Sequence, residues 1–131
     1  MITTILTALL AIFYFLISVQ VISNRKRLQV SLGNGEDNEI LKYTSAHNNF
    51  ASYAPMLIIL FYFNETSGLI SNLVLIPLAL MILTGRIFHY KGLTAKSMNF
   101  SLRVKGMKLT LFSLLVMAIS LLVIEVYKVL A

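Results

Sequence analysis

The sequence predicts an all-α membrane protein, a bundle of four transmembrane helices that forms one domain over residues 1–131. Three observations lead to this fold class. First, 58% of the 131 residues are hydrophobic and only 12% are charged, whereas about a quarter of a soluble domain is charged. Second, the apolar residues form four long stretches, and about 20 apolar residues in a helix cross a hydrocarbon core of roughly 30 Å. Third, nearly all cations lie in two of the connections between these stretches.

The first predicted span covers residues 2–23, which carry no charged side chain. The basic run of Arg25, Lys26 and Arg27 follows this segment, whereas a secretory signal peptide carries its positive charge before the apolar part. A small-residue cleavage pattern is also missing before the basic run. We therefore expect a retained membrane helix.

The second predicted span, residues 43–64, is the apolar part of a longer helix that runs from about residue 37 to residue 64. Gly33, Asn34 and Gly35 form a flexible turn before it. We expect Glu36, Asp37 and Glu39 in the first helical turn, where negative charge suits the helix dipole. The polar first half of this helix is expected at or beyond the membrane surface.

The third and fourth predicted spans cover residues 69–90 and 104–127. Pro55 and Pro77 lie inside predicted spans, where proline is tolerated and can kink a helix. With four spans, the first and third connections lie on the same side of the membrane.

Ten of the 11 lysines and arginines are found in or beside those two connections. The first connection carries Arg25, Lys26, Arg27 and Lys42, and the other carries Arg86, Lys91, Lys96, Arg103, Lys105 and Lys108. The positive-inside rule places this side in the cytoplasm and both termini in the periplasm. The net charge of +6 is therefore interpreted as a topology signal, and we expect contact with membrane lipids and no nucleic-acid partner.

Several polar side chains are predicted to gather at one depth near the cytoplasmic boundary. They come from three helices: Lys42, Asn49 and Ser52 from the second, Arg86, His89 and Tyr90 from the third, and Arg103 from the fourth. Arginine can hold a carboxylate through two parallel hydrogen bonds, and nearby cations favour a thiolate. This cluster predicts a site for an anionic, partly polar ligand.

Structural roles for the same residues stay open. Arg86 and Arg103 are also compatible with contact to phosphate headgroups, and Asn49 with a hydrogen bond to a neighbouring helix. Tyr90 fits an interfacial aromatic belt. No metal site is expected, because His47 and His89 lie on different helices without acidic residues at ligand spacing. The absence of cysteine excludes a thiolate ligand or a cysteine nucleophile from the protein itself.

An ordered set of motifs resembles the MAPEG family, the membrane-associated proteins in eicosanoid and glutathione metabolism, and within it the small bacterial branch. After the glycine turn, the set consists of Ala46-His47-Asn48-Asn49-Phe50-Ala51 with Tyr53 and Pro55, then Gly85-Arg86 with His89, Gly92 and Leu93, then Arg103-Val104 with Gly106, Met107, Leu109 and Thr110. The resemblance covers nearly the whole chain, with four spans in the same order.

The resemblance implies a homotrimer in the bacterial inner membrane that binds glutathione between subunits at the cytoplasmic side. It implies conjugation of the glutathione thiolate to lipophilic electrophiles, reduction of hydroperoxides or isomerisation of lipids, although some members only present a lipid. Carried over to this sequence, the catalytic residues are Arg103 and Arg86. The residues implied to bind glutathione are Lys42, Asn49, Ser52, Arg86, His89 and Tyr90.

Two positions depart from the family pattern. Ser52 occupies the position of a family glutamate, and Ser45 that of a common arginine. Because a charge-assisted hydrogen bond contributes about 1.5–3 kcal/mol, these changes are expected to weaken glutathione binding. The sequence thus leaves two functions open: a glutathione-dependent transferase or peroxidase, and a non-catalytic lipid-binding or scaffold protein.

A small multidrug exporter is the third function class considered, because such exporters also have four spans in a short chain. They use a glutamate within the first span to exchange protons for cationic drugs. The first span here has no acidic residue, and Tyr14 lies near its middle.

Overall fold

The computed structural model describes residues 1–33, 35 and 37–130, which form four α-helices and no strand. The helices are α1 (Ile2–Leu28), α2 (Asn38–Thr66), α3 (Asn72–Thr94) and α4 (Phe100–Leu130). The predicted all-α class with four helices is confirmed. α1, α2 and α4 extend past the apolar stretches that predicted them, since a helix continues into the interface as long as its backbone hydrogen bonds are satisfied. α3 continues past its predicted end at residue 90 to Thr94 but begins at Asn72, three residues after the predicted start, because Ser71 caps it.

Three of the helices, α1, α3 and α4, are long and apolar enough to cross a membrane. The remaining helix, α2, has 29 residues, which is sufficient length at about 1.5 Å per residue. Its N-terminal half is polar, from Asn38 to Asn49. That α2 forms a fourth span over residues 43–64 stays a prediction, and its antiparallel packing beside α1 supports it.

The connection between α1 and α2 is defined by its helix caps. Gln29 ends α1 in the left-handed conformation, at φ 55°. Asp37 precedes α2, and its side chain accepts hydrogen bonds from the backbone N–H groups of Glu39 and Ile40. Asp37 is therefore the N-cap, and its predicted place in the first turn is wrong, whereas Glu39 does lie in that turn.

The turn predicted before α2 is described only in part. Gly33 and Gly35 have φ values of 64° and 55°, a conformation that glycine adopts without steric cost. Asn34 of this turn and Glu36, predicted for the first helical turn, lie outside the described residues.

Contacts at both ends show that α1 and α2 run antiparallel. At one end, the Glu65 carboxylate accepts hydrogen bonds from the backbone N–H groups of Ile2 and Thr3. At the other end, Arg27 forms an ion pair with Glu39. Glu65 thereby places a negative charge at the start of α1, where free N–H groups and the helix dipole favour it.

The two remaining helices form a closely packed hairpin in which glycines allow the backbones to touch. A Cβ atom added at Gly92 would lie 2.4 Å from the backbone nitrogen of Arg103. One added at Gly106 would lie 2.3 Å from the backbone nitrogen of His89. Small residues at such crossings let membrane helices approach closely.

The bundle is therefore up-and-down, and its two basic connections lie at the same end. We call this end the basic side. The apolar core lies between the helices, away from the basic side. Its fully buried members include Leu6, Leu10, Ile17, Leu57, Phe61, Leu75, Ile82 and Met117. Asn64 is buried there too, and its amide donates to the Met117 carbonyl 3.0 Å away, which links α2 to α4.

Candidate functional site

A cavity of about 560 Å³ opens at the basic side between the N-terminal half of α2, the end of α3 and the start of α4. Nine residues line it: Asn38, Leu41, Lys42, Ser45, Asn49, His89, Leu93, Met98 and Arg103. Four of the seven predicted site residues are thus brought together around one space. These are Lys42, Asn49, His89 and Arg103.

Two cations face this cavity. Arg103 is partly exposed, and its Nη1 contacts the Met98 sulfur at 3.6 Å. Lys42 Nζ donates to the carbonyl oxygens of Ala95 and Lys96, at 3.5 and 3.1 Å. Within the described part of the chain, neither cation forms an ion pair with a carboxylate. The cavity is therefore electropositive.

Asn49 and His89 supply uncharged polar groups to the same cavity. Asn49 Oδ1 accepts a hydrogen bond of 3.0 Å from Arg86 Nη1, which leaves the amide NH₂ group as a donor. His89 Nδ1 lies 3.3 Å from the Arg103 carbonyl oxygen. Because a carbonyl only accepts, Nδ1 carries the proton, and in the neutral ring Nε2 is then an acceptor.

The hydrogen bond from His89 to the Arg103 carbonyl depends on the close crossing of α3 and α4. Gly106 lets the backbone of His89 approach α4, so the imidazole reaches the carbonyl one turn earlier on that helix. The glycine pattern therefore determines both the helix packing and the orientation of the imidazole.

Arg86 lies behind this site and does not line the cavity. Its side chain is only 2% exposed. Nε and Nη2 donate to Thr110 Oγ1 at 3.2 and 2.8 Å, and Nη1 donates to Asn49. Longer contacts to the Asn49 carbonyl and to the Met107 sulfur complete the set. All five guanidinium N–H groups thus have acceptors within the chain.

The Arg86 guanidinium also lies 5.4 Å from the centre of the Tyr53 ring, in the range of a cation–π contact. Arg86 therefore joins α3 to α2 and to α4 in the interior of the bundle. Its direct contact with a ligand stays a prediction, and its observed contacts hold Asn49 in place.

Ser52 and Tyr90 were predicted for the same site, but neither lines the cavity. Ser52 is exposed, and its hydroxyl donates to the Asn48 carbonyl of its own helix at 2.8 Å. The ring of Tyr90 packs edge-on against Phe13 of α1, with centroids 5.5 Å apart. Successive helical residues diverge by about 100°, so Tyr90 turns towards α1 while His89 turns towards α4.

Several lining residues were missed by the sequence reasoning. Five residues line the cavity without being among the predicted site residues: Asn38, Leu41, Ser45, Leu93 and Met98. A signal for the first two was present, because the α2 residues of the cavity follow helical spacing: positions 38, 41, 42, 45 and 49. Met98 lies in the α3–α4 connection, for which no periodicity applies.

A family model and two relatives match most of the chain. The model of the MAPEG family matches residues 3–123. The inner membrane protein YecN of Escherichia coli strain K12 is 30% identical over 120 residues, which cover 92% of this chain and 89% of the relative. YecN of Escherichia coli O6:H1 matches to the same extent.

Proposed function

The chain belongs to the MAPEG family, and on this premise we propose that it binds glutathione in the cavity at the basic side and transfers its thiolate to lipophilic electrophiles or uses it to reduce hydroperoxides. The observation that carries this proposal is the convergence of Lys42, Asn49, His89 and Arg103 on one space of about 560 Å³. This volume is in the range of roughly 300–1,000 Å³ that is usual for small-molecule sites.

The donor set of the cavity fits the two carboxylates and the peptide groups of glutathione. Arg103 and Lys42 are the cations available for the carboxylates. Lys42 has three N–H groups and uses two of them on carbonyls. The Asn49 amide and the Ser45 hydroxyl suit peptide groups, and Arg86 acts indirectly by fixing Asn49.

Glutathione, when bound, supplies a thiol whose thiolate form is the nucleophile. The guanidinium of Arg103 favours that form and stabilises negative charge on the reacting electrophile. His89 Nε2 is suited to accept the thiol proton, because the Arg103 carbonyl holds the opposite nitrogen as a donor. Lipophilic substrates can reach the cavity from the surrounding membrane.

Removing either of the two cations that face the cavity is expected to weaken glutathione binding. Because each charge-assisted hydrogen bond contributes about 1.5–3 kcal/mol, Arg103→Gln and Lys42→Gln should each raise the Kd by roughly 10- to 150-fold. Isothermal titration calorimetry of the detergent-solubilised protein measures this, and conjugation of a chlorinated aromatic measures the reaction. Lys91→Gln removes an exposed charge at the same level outside the cavity and serves as the control. An unchanged Kd in both cavity variants would contradict the assignment.

A non-catalytic lipid-binding or scaffold function is the second candidate. Two observations favour it: Ser45 lines the cavity without charge, and the Arg86 donors are all engaged within the chain. The same calorimetry separates the two functions. Millimolar or absent affinity for glutathione favours the non-catalytic function, whereas micromolar affinity favours the enzyme.

We propose the inner membrane as the location, in line with the name of the YecN relative, with the basic side in the cytoplasm and both termini in the periplasm. Since the sequence contains no cysteine, single cysteines report topology without background. Lys26→Cys should react with a membrane-impermeant maleimide only after the cells are opened. Thr66→Cys, at the other end of the bundle, should react in cells whose outer membrane alone is permeabilised. The reverse pattern would invert the topology.

A homotrimer is proposed from family membership. Asn49 and Arg86 do not need partners from another subunit, because they bond to each other within one chain. A groove of about 280 Å³ between α1 and α2 gives new support, since Thr7, Ala11 and Ala51 line it and small residues favour helix contacts in membranes.

The groove leads to a prediction about assembly. Ala51→Trp should fill the space and shift native mass spectra in mild detergent from trimer to monomer. Leu115→Trp, on an exposed position of α4, is the matched control and should leave the trimer intact. A wild-type protein that is monomeric in these spectra would contradict the proposal.

A further inference from the structure

A second basic feature lies on the outer surface of the α3–α4 hairpin. It is a shallow groove of about 450 Å³, lined by Phe88, Lys105, Lys108, Leu109 and Phe112, and we call it the outer groove. None of these residues lines the cavity in which we propose that glutathione binds. At about 100° per residue, Lys105, Lys108 and Phe112 project from the side of α4 opposite to Arg103.

The two lysines of the outer groove carry charge that the described residues leave unbalanced. Both are exposed, and no ion pair in the described part of the chain includes either of them. They lie in the first three turns of α4, and the following residues through Val123 are uncharged. The ammonium groups are thus expected where the hydrocarbon gives way to headgroups, with the aliphatic stems on the apolar wall.

The walls below the lysines are apolar and continue towards the membrane interior. Phe112 is four residues beyond Lys108, which is about 6 Å deeper along the helix axis. Leu109 and, from α3, Phe88 add apolar surface beside the lysines. The outer groove therefore presents two cations next to an apolar surface, and this surface extends about one turn deeper at Phe112.

We propose that the outer groove is a binding site for an anionic phospholipid of the leaflet at the basic side. The phosphate lies between Lys105 and Lys108, and an acyl chain follows Phe88, Leu109 and Phe112. Charge complementarity selects this occupant, because a zwitterionic lipid gains less from two lysines. A soluble anion would leave the apolar wall without a partner. Lipid binding in the outer groove is independent of the proposed glutathione chemistry.

Native mass spectrometry of the full-length protein in mild detergent tests this site, with phosphatidylglycerol and phosphatidylcholine as probes. A lysine near the membrane surface contributes about a five-fold gain in affinity for an anionic lipid. Lys105→Gln combined with Lys108→Gln should therefore weaken phosphatidylglycerol binding roughly 30-fold. The control combines Lys26→Gln with Lys96→Gln, two exposed cations of the same side outside the groove.

The expected result is loss of phosphatidylglycerol binding in the groove variant and retention in the control. Phe112→Ala, which keeps all charges, should weaken binding about five-fold by removing part of the wall. Equal losses in the groove variant and the control would mean diffuse charge attraction and overturn the proposal. The proposal is also overturned if both lipids bind equally or if millimolar inorganic phosphate displaces phosphatidylglycerol. A groove variant that changes its oligomeric state but keeps its lipid would overturn it as well.

Discussion

The Arg86→Ala substitution is expected to lower the free energy of unfolding by about 3–5 kcal/mol relative to the wild type. This is the largest loss expected for any single substitution in the site. Arg86 is the largest fully buried side chain, so its truncation leaves a void. The change also removes the donors to Asn49 and Thr110. These two losses act on the same three helices, because Arg86 joins α3 to both α2 and α4.

The free energy of unfolding in mild detergent, followed by circular dichroism, measures this effect. Arg86→Lys keeps a charge but, as a point donor, cannot reproduce the fork that reaches both partners, and it should lose an intermediate amount. Arg103→Ala keeps the Cβ atom that packs against Gly92 and removes only one polar contact among the described groups, to the Met98 sulfur. It is the control and should unfold like the wild type. A wild-type free energy for Arg86→Ala would show that the buried arginine does not hold the helices together.

The Gly106→Ala variant is expected to push α3 away from α4. The added Cβ would lie 2.3 Å from the His89 backbone nitrogen and 2.7 Å from the Gly85 carbonyl oxygen. Backbone atoms of two helices cannot rotate aside as a flexible side chain would. The cost, about 3 kcal/mol at the upper end of overpacking, exceeds the roughly 1 kcal/mol by which alanine favours the helix over glycine.

The net loss of about 2 kcal/mol for Gly106→Ala is measurable by the same unfolding experiment. Separation of the helices should also weaken the hydrogen bond from His89 to the Arg103 carbonyl, and with it glutathione affinity. Ser101→Ala, an exposed position on the same helix, controls for the alanine itself. An equal or greater stability of Gly106→Ala would show that the hairpin tolerates a wider spacing.

Hydropathy predicts α1, α3 and α4 because apolar stretches of this length have few other stable arrangements in a membrane. The prediction of α2, which is apolar only in its second half, also needed the glycine turn and the acidic residues that precede it. Hydropathy does not predict helix ends. The first helix continues to Leu28 and the fourth begins at Phe100, because hydropathy marks contact with lipid, whereas a helix ends where its backbone loses partners. The N-cap role of Asp37 is likewise a matter of side-chain geometry.

The sequence predicts the depth at which the site residues lie. It predicts only in part the direction in which each side chain points from its helix. Rise per residue places Asn49, His89 and Arg103 at one level, and they do meet around the cavity. Ser52 and Tyr90 lie at nearly that level and point elsewhere. The distinction depends on which neighbour each helix faces, which a single sequence does not specify.

The two hydrogen bonds from Lys42 to the carbonyls of Ala95 and Lys96 hold the α3–α4 connection beside the mouth of the cavity. Lys42 therefore has two tasks that pull the same ammonium group in different directions, one towards the carbonyls and one towards a ligand carboxylate. A carboxylate that attracts this ammonium loosens the connection, and a connection held more firmly makes the ammonium less available. By thermodynamic reciprocity the two events would change each other by the same free energy. We therefore expect occupancy of the proposed site to be coupled to the mobility of residues 95–99, and hydrogen exchange there should report on ligand binding.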